Sequence, residues 1–111
     1  MNKLKVYVAG PYTQGDQAKN VRYALVIGNC LLGKGFAPFI PHLTHFWHLC
    51  HLHPYQTWMD YDAEWLKVCD ALFRCQGMSA GADTEVKLAR VLKIPVFQSL
   101  AEISYWRSGL A

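Results

Sequence analysis

The sequence is short of the features that announce the commonest functions. It carries no C-x-x-C pair among Cys30, Cys50, Cys69 and Cys75. Reduced, partly buried thiols are therefore expected. No apolar run approaches the length of a membrane span, and no signal peptide is recognised, so the expected location is the cytoplasm with no membrane partner. The first predicted strand is not followed by G-x-G-x-x-G, and no G-x-x-x-x-G-K-[ST] occurs. Ordinary dinucleotide binding and P-loop chemistry are both disfavoured. Charge is sparse too, at 17% of residues and a net +3, and the eleven Lys and Arg residues form no run. A nucleic acid polymer is thus not an expected partner, whereas a small anionic ligand is compatible. Repeats, low-complexity stretches and linkers are absent.

What is present is a globular composition in 111 residues, with 52% hydrophobic residues, read as one domain over 1–111. Four Trp, six Tyr and five Phe exceed the needs of a small core. Some are expected to line a pocket or a subunit interface. Leu4 to Ala9 reads as a buried strand ending at Gly10-Pro11. A helix is predicted from Gln17 to Leu32, capped by Asp16, with Val21, Leu25, Gly28 and Leu32 as its apolar stripe and Gly33 and Gly35 at its end. Phe36 to Ile40 is a second strand. His42 to His53 holds all five histidines and is expected to be a loop or short irregular helix. A helix from Pro54 to Val68, a strand over Asp70 to Cys75, a loop over Gln76 to Gly81, a helix over Ala82 to Lys93 and a strand over Ile94 to Phe97 follow. A short helix is predicted between Ser99 and Arg107, carrying Tyr105 and Trp106.

This alternation predicts an α/β fold: a small flavodoxin-like or Rossmann-like parallel sheet of four or five strands with helices on both faces. Ligands in such sheets bind beyond the carboxyl ends of the strands. That rule selects the Gly10-Pro11-Tyr12-Thr13 turn, Pro41-His42, and Gln76 to Glu85.

Two carboxylates stand in unusual positions. Asp62 falls in line with Trp58, Trp65 and Cys69 at helical spacing, while Asp60 and Glu64 point elsewhere. A carboxyl in an apolar stripe is kept dry and its pKa rises, which suits it to give or share a proton. The plain alternative is a rim residue bound to a backbone amide or a basic side chain. Glu85 is placed in the first turn or so of its helix, facing inward with Leu88, Ala89 and Leu92, where the helix N-terminus favours the ionised form. The plain alternative is a helix-start acid, a role that Asp83 already fills while pointing outward. Ala80, Gly81 and Ala82 are small enough for a ligand to approach the backbone. One protonation-prone and one ionised carboxyl suit glycosidic-bond chemistry, and a separation of roughly 5 Å corresponds to double displacement.

At these residues the chain resembles the nucleoside 2-deoxyribosyltransferase superfamily, which includes 2′-deoxynucleoside 5′-monophosphate N-glycosidases. The matching pieces are Val6-Tyr7-Val8-Ala9-Gly10-Pro11, Asp62-Ala63-Glu64-Trp65-Leu66 and Ser79-x-Gly81-x-x-x-Glu85. The resemblance implies that Glu85 is the nucleophile, forming a glycosyl ester. It implies that Asp62 contacts the sugar and assists protonation of the leaving base, and that Tyr7 orients the nucleophile. Gly10, Pro11 and Tyr12 match a loop lying against base or sugar. Ser79 resembles the monophosphate glycosidases, because a hydroxyl tolerates a 5′-phosphate that a carboxylate would repel. Thr13 departs from the arginine those glycosidases carry; Lys19 and Arg22 are the nearby cations. The expected ligand is a nucleoside or nucleotide, and the expected reaction is hydrolysis of a nucleoside 5′-monophosphate, with base exchange between deoxynucleosides as the alternative.

Three other readings bear on the same residues. His45, His48 and His51 recur at three-residue spacing near Cys50, but no zinc pattern is matched and no acidic ligand is interleaved, so neither metal nor cofactor is expected. His42 follows the second strand and is the histidine expected to touch substrate, as are Ser79 and Gly81. A nucleotide-sensing module without turnover is a second reading; it has no need of Asp62 and Glu85 facing one site. Tyr105, Trp106 and the surplus aromatics are assigned to a homodimer or larger homo-oligomer interface.

Overall fold

A computed structural model describes residues 3–110. Four parallel strands form one sheet: β1 (Lys5–Ala9), β2 (Ala37–Phe39), β3 (Ala71–Arg74) and β4 (Val96–Phe97), in the order β2-β1-β3-β4. The helices are α1 (Gln17–Gly33), α2 (His45–Cys50), α3 (Tyr55–Leu66), α4 (Ala80–Val91) and α5 (Leu100–Ser108), with a 3₁₀ turn over Pro41–Thr44 before α2. The predicted sheet and its helices on both faces are present.

Alternation along the strands divides the core in two. Val6, Val8, Ala71 and Phe73 face one layer, closed by Ala24, Ile27 and Leu31 of α1 and Ile103 of α5. Tyr7, Ala9 and Leu72 face the other, closed by Leu66 of α3 and by Ala82, Val86 and Ala89 of α4. The chain runs from β1 outward to β2, then crosses back to β3 on the opposite side of β1. The strand order therefore reverses between β1 and β3, which opens a crevice above their carboxyl ends.

Several local expectations are corrected. Asp16 caps α1 as predicted, accepting the Lys19 N–H at 3.1 Å. The buried stripe, however, is Ala24, Ile27, Gly28 and Leu31, while Leu25 and Leu32 are exposed. Apolar residues surround much of this helix, so size alone did not fix the phase. Gly28 sits where an added Cβ would lie 2.3 Å from Ile40 Cδ1, so it admits the Ile40 side chain against the helix. In α3 the buried residues are Asp62 and Leu66, whereas Trp65 is exposed and stacks on Phe39 at 5.6 Å. Pro54 is the residue before α3 rather than its first turn. Helix α4 starts at Ala80, not Ala82, because Ser79 caps it by accepting the Ala82 N–H at 3.0 Å.

Candidate functional site

A cleft of about 520 Å³ opens above β1 and β3, within the range of small-ligand sites. Its floor holds Gly10, His42, Asp62 and Glu85. One wall is the start of α4, with Ser79, Ala80 and Gly81. The far wall is made by α2 and α3, including His45, His48, Trp58 and Met59. Tyr12 and Thr13 close the side next to β1.

The three expected catalytic residues converge here. Asp62 and Glu85 both line the cleft and are buried. Tyr7, fully buried in β1, donates its hydroxyl hydrogen to Glu85 Oε2. Burial raises the Tyr7 pKa, and the Glu85 carboxylate adds to that, so Tyr7 keeps its proton and stays a donor.

The two carboxyls do not have the opposite environments expected from the sequence. Because α4 begins at Ala80, Glu85 sits in its second turn, away from the free N–H groups. Desolvation dominates and pushes Glu85 up to about 7, against the Tyr7 hydrogen bond and the Arg74 charge, which favour ionisation. Desolvation, with the Glu85 charge adding to it, likewise raises Asp62 to about 7. Asp62 Oδ1 is buried with no hydrogen-bond partner, so the rim position bound to an amide or cation is not what the structure holds. The asymmetry survives in another form. Glu85 has a hydrogen-bond donor and a nearby cation; Asp62 has neither acting on it. Both contacts favour the ionised form of Glu85, and nothing comparable favours the ionised form of Asp62.

The remaining expected residues divide. Gly10, Tyr12, His42, Ser79 and Gly81 line the cleft. Pro11 does not: it lies behind, where its carbonyl accepts from His42 Nε2 at 2.9 Å. His42 is buried, burial lowers its pKa, and its Nδ1 has no partner, so the ring is neutral. At Gly10 an added Cβ would lie 2.8 Å from Cys75 Cβ, so β1 and β3 approach closely there. At Gly81 the added Cβ would meet Tyr55 Oη at 2.6 Å. Lys19 and Arg22 do not line the cleft, and Thr13 does.

The sequence reading passed over Arg74. It ends β3, donates to the carbonyls of Cys75 and Gly77, and pairs with Asp83 Oδ1 at 3.0 Å. It thus ties together the loop that leads into α4. Nothing in a lone strand-end arginine signals this, because its partners are mostly backbone. The histidine stretch is ordered by aromatic contacts instead. Trp58 packs against Trp47, His48, His53 and Tyr61. Among the described residues no three of His, Cys, Asp and Glu gather into a metal-holding group, and no helix is long and apolar enough to cross a membrane. Tyr105 is exposed, whereas Trp106 packs on Phe97 at 5.2 Å.

The four-stranded parallel sheet with its helices matches the fold of the deoxyribosyltransferases. A 2-deoxyribosyltransferase from the psychrotolerant bacterium Bacillus psychrosaccharolyticus is similar over 83% of this chain and 69% of its own, at 24% identity and a TM-score of 0.63. A 2-deoxyribosyltransferase from Leishmania mexicana is similar over 84% of this chain and 61% of its own, at 18% identity and a TM-score of 0.62. No curated protein matches the sequence. The chain belongs to the family described as Domain of unknown function (DUF7768), whose model matches residues 4–99.

Proposed function

We propose that this protein cleaves the N-glycosidic bond of a nucleoside 5′-monophosphate through a glycosyl ester on Glu85. The observation that carries this reading is the buried pair Asp62 and Glu85 in one cleft, with the Tyr7 hydroxyl on Glu85. In the reactive state Glu85 is ionised and Asp62 protonated. The carboxylate attacks the anomeric carbon as the bond to the base breaks, and the Asp62 proton moves to the departing base. Water then attacks the ester carbon, Asp62 takes the proton back, and Glu85 leaves as carboxylate. Tyr7 holds the attacking oxygen in place and stabilises its charge before attack.

The start of α4 supports the phosphate. Ser79 accepts the Ala82 N–H and keeps its own O–H free to donate. The preceding N–H groups of α4 lie in the same wall, at the positive end of a twelve-residue helix. Base exchange between deoxynucleosides is the second reading, favoured by the similarity of fold to two deoxyribosyltransferases. Both readings are compatible with a homo-oligomer whose interface takes in exposed aromatics such as Tyr105.

The test is chromatography of free base released from nucleosides and from 5′-monophosphates, with and without a second base. Release from monophosphates alone is expected. Base exchange on nucleosides would replace hydrolysis by transfer. Glu85→Gln is expected to abolish turnover while retaining nucleotide affinity. Equal nucleotide binding by both forms, with no release by either, would mark a sensor instead.

A further inference from the structure

The histidine stretch is not used by the chemistry above, yet His42, His45, His48 and His53 all line the cleft, two of them on α2. His45 and His48 are three apart on α2, so they share one side of that helix, and both line the cavity. Each ring is fixed through Nδ1 by a group outside α2. Trp58 Nε1 donates to His48 Nδ1 at 2.8 Å. An indole N–H only donates, so Nδ1 of His48 carries the lone pair and the neutral ring has its hydrogen on Nε2. Tyr12 Oη lies 2.5 Å from His45 Nδ1 and makes no other side-chain hydrogen bond among the described residues. Phenol is the acid and imidazole the base of such a pair, so Tyr12 donates, and His45 too has its hydrogen on Nε2. Neither Nε2 has a hydrogen-bond partner among the described residues, and neither is sealed from solvent.

We propose that His45 and His48 form the base-recognition edge of the cleft, a pair of Nε2–H donors that selects a base with two adjacent acceptors, namely a 6-oxopurine. The inference rests on the nucleotide reading of the site and adds the substrate class. Guanine presents O6 and N7 as neighbouring acceptors on one edge, whereas adenine presents N7 beside an amino donor. An amino group facing a second donor leaves both hydrogens unpaired in a partly dry site. The aromatic wall behind the two rings, Trp58 foremost, supplies the flat apolar surface that a purine needs.

The experiment measures binding to the Glu85→Gln protein at pH 8, where imidazoles are neutral. The probes are the 2′-deoxy 5′-monophosphates of guanine, hypoxanthine and adenine, and of 7-deazaguanine, which lacks the N7 acceptor. The expected result is about 10- to 100-fold preference for the oxopurines over adenine. The 7-deaza analogue should fall towards adenine. His48→Phe should abolish the preference, and Trp58→Phe, which frees Nδ1 and with it the other tautomer, should narrow it. Equal binding of guanine and adenine nucleotides would overturn the proposal while leaving the glycosidase reading intact. So would a His48→Phe protein that weakens every monophosphate equally but leaves the corresponding nucleosides alone, because the rings would then hold the phosphate. Absence of binding by any nucleotide would overturn both readings.

Discussion

Replacing Asp62 by Asn should make the protein more stable at pH 8 and leave its stability almost unchanged at pH 4. Asn has the shape of the protonated acid and none of the charge. The sign follows from linkage. Well below pH 3.8 Asp62 is protonated in both folded and unfolded chains and adds no pH-dependent cost, and at pH 4 that cost is still only about 0.6 kcal/mol. Between its ordinary value of 3.8 and its folded value of about 7, the unfolded chain gives up the proton while the folded chain keeps it. Stability therefore falls as pH rises through this window, and above it the whole cost of a dry, unpaired carboxylate is present. That interval corresponds to roughly 4 kcal/mol at most. Part of it depends on Glu85 also being ionised, so a gain of about 2–3 kcal/mol is the working expectation, or on the order of 10 °C in melting temperature. The assay is thermal or urea unfolding of both forms at pH 4 and pH 8, followed by circular dichroism. Base release by the variant should fall at every pH. An Asn variant no more stable than the parent at pH 8, or shifted equally at both pH values, would refute the placement of Asp62 as a buried, partnerless acid.

Other expectations follow from the same geometry. Tyr7→Phe removes a hydrogen bond that favours ionised Glu85, so the Glu85 pKa rises further and the acid limb of the kcat/KM profile moves to higher pH. The loss near pH 6 should be about 10- to 100-fold, the worth of a hydrogen bond to a charged group, and smaller at pH 9. Gly28→Ala places a Cβ into Ile40 at the α1 packing surface and should cost about 1–3 kcal/mol in urea unfolding with little change in activity. Asp16→Ala removes the cap of α1 and should cost about 1 kcal/mol in the same measurement.

The strands and the two acids were legible because each depends on local pattern. The run from Val6 to Ala9 is buried on both faces, and its composition says so. Asp62 was visible as a charge out of place between apolar neighbours. The errors arose where two local signals competed. Ser79 suits a loop residue that meets a ligand and equally a helix cap, and its use as a cap starts α4 two residues earlier than the pattern predicts. That small displacement carried Glu85 out of the first turn and reversed its expected electrostatics. Helix α1 has apolar residues on more than one side, so choosing the larger ones gave the wrong stripe. Arg74 and the tautomers of His45 and His48 could not be read at all. The ion pair of Arg74 and the two histidine tautomers depend on partners 9 to 33 positions away, fixed only by the folded chain.

Helix α2 buries none of its side chains, although it supplies a wall of the cleft. Tyr7, Asp62 and Glu85 stand elsewhere, buried on β1, α3 and α4. Residues facing the ligand from α2 can therefore be exchanged without disturbing either the sheet or the acids. If the proposed roles hold, chemistry and choice of substrate rest on separate elements of this small fold, and six consecutive residues, His45–Cys50, are the natural place to vary the second while keeping the first.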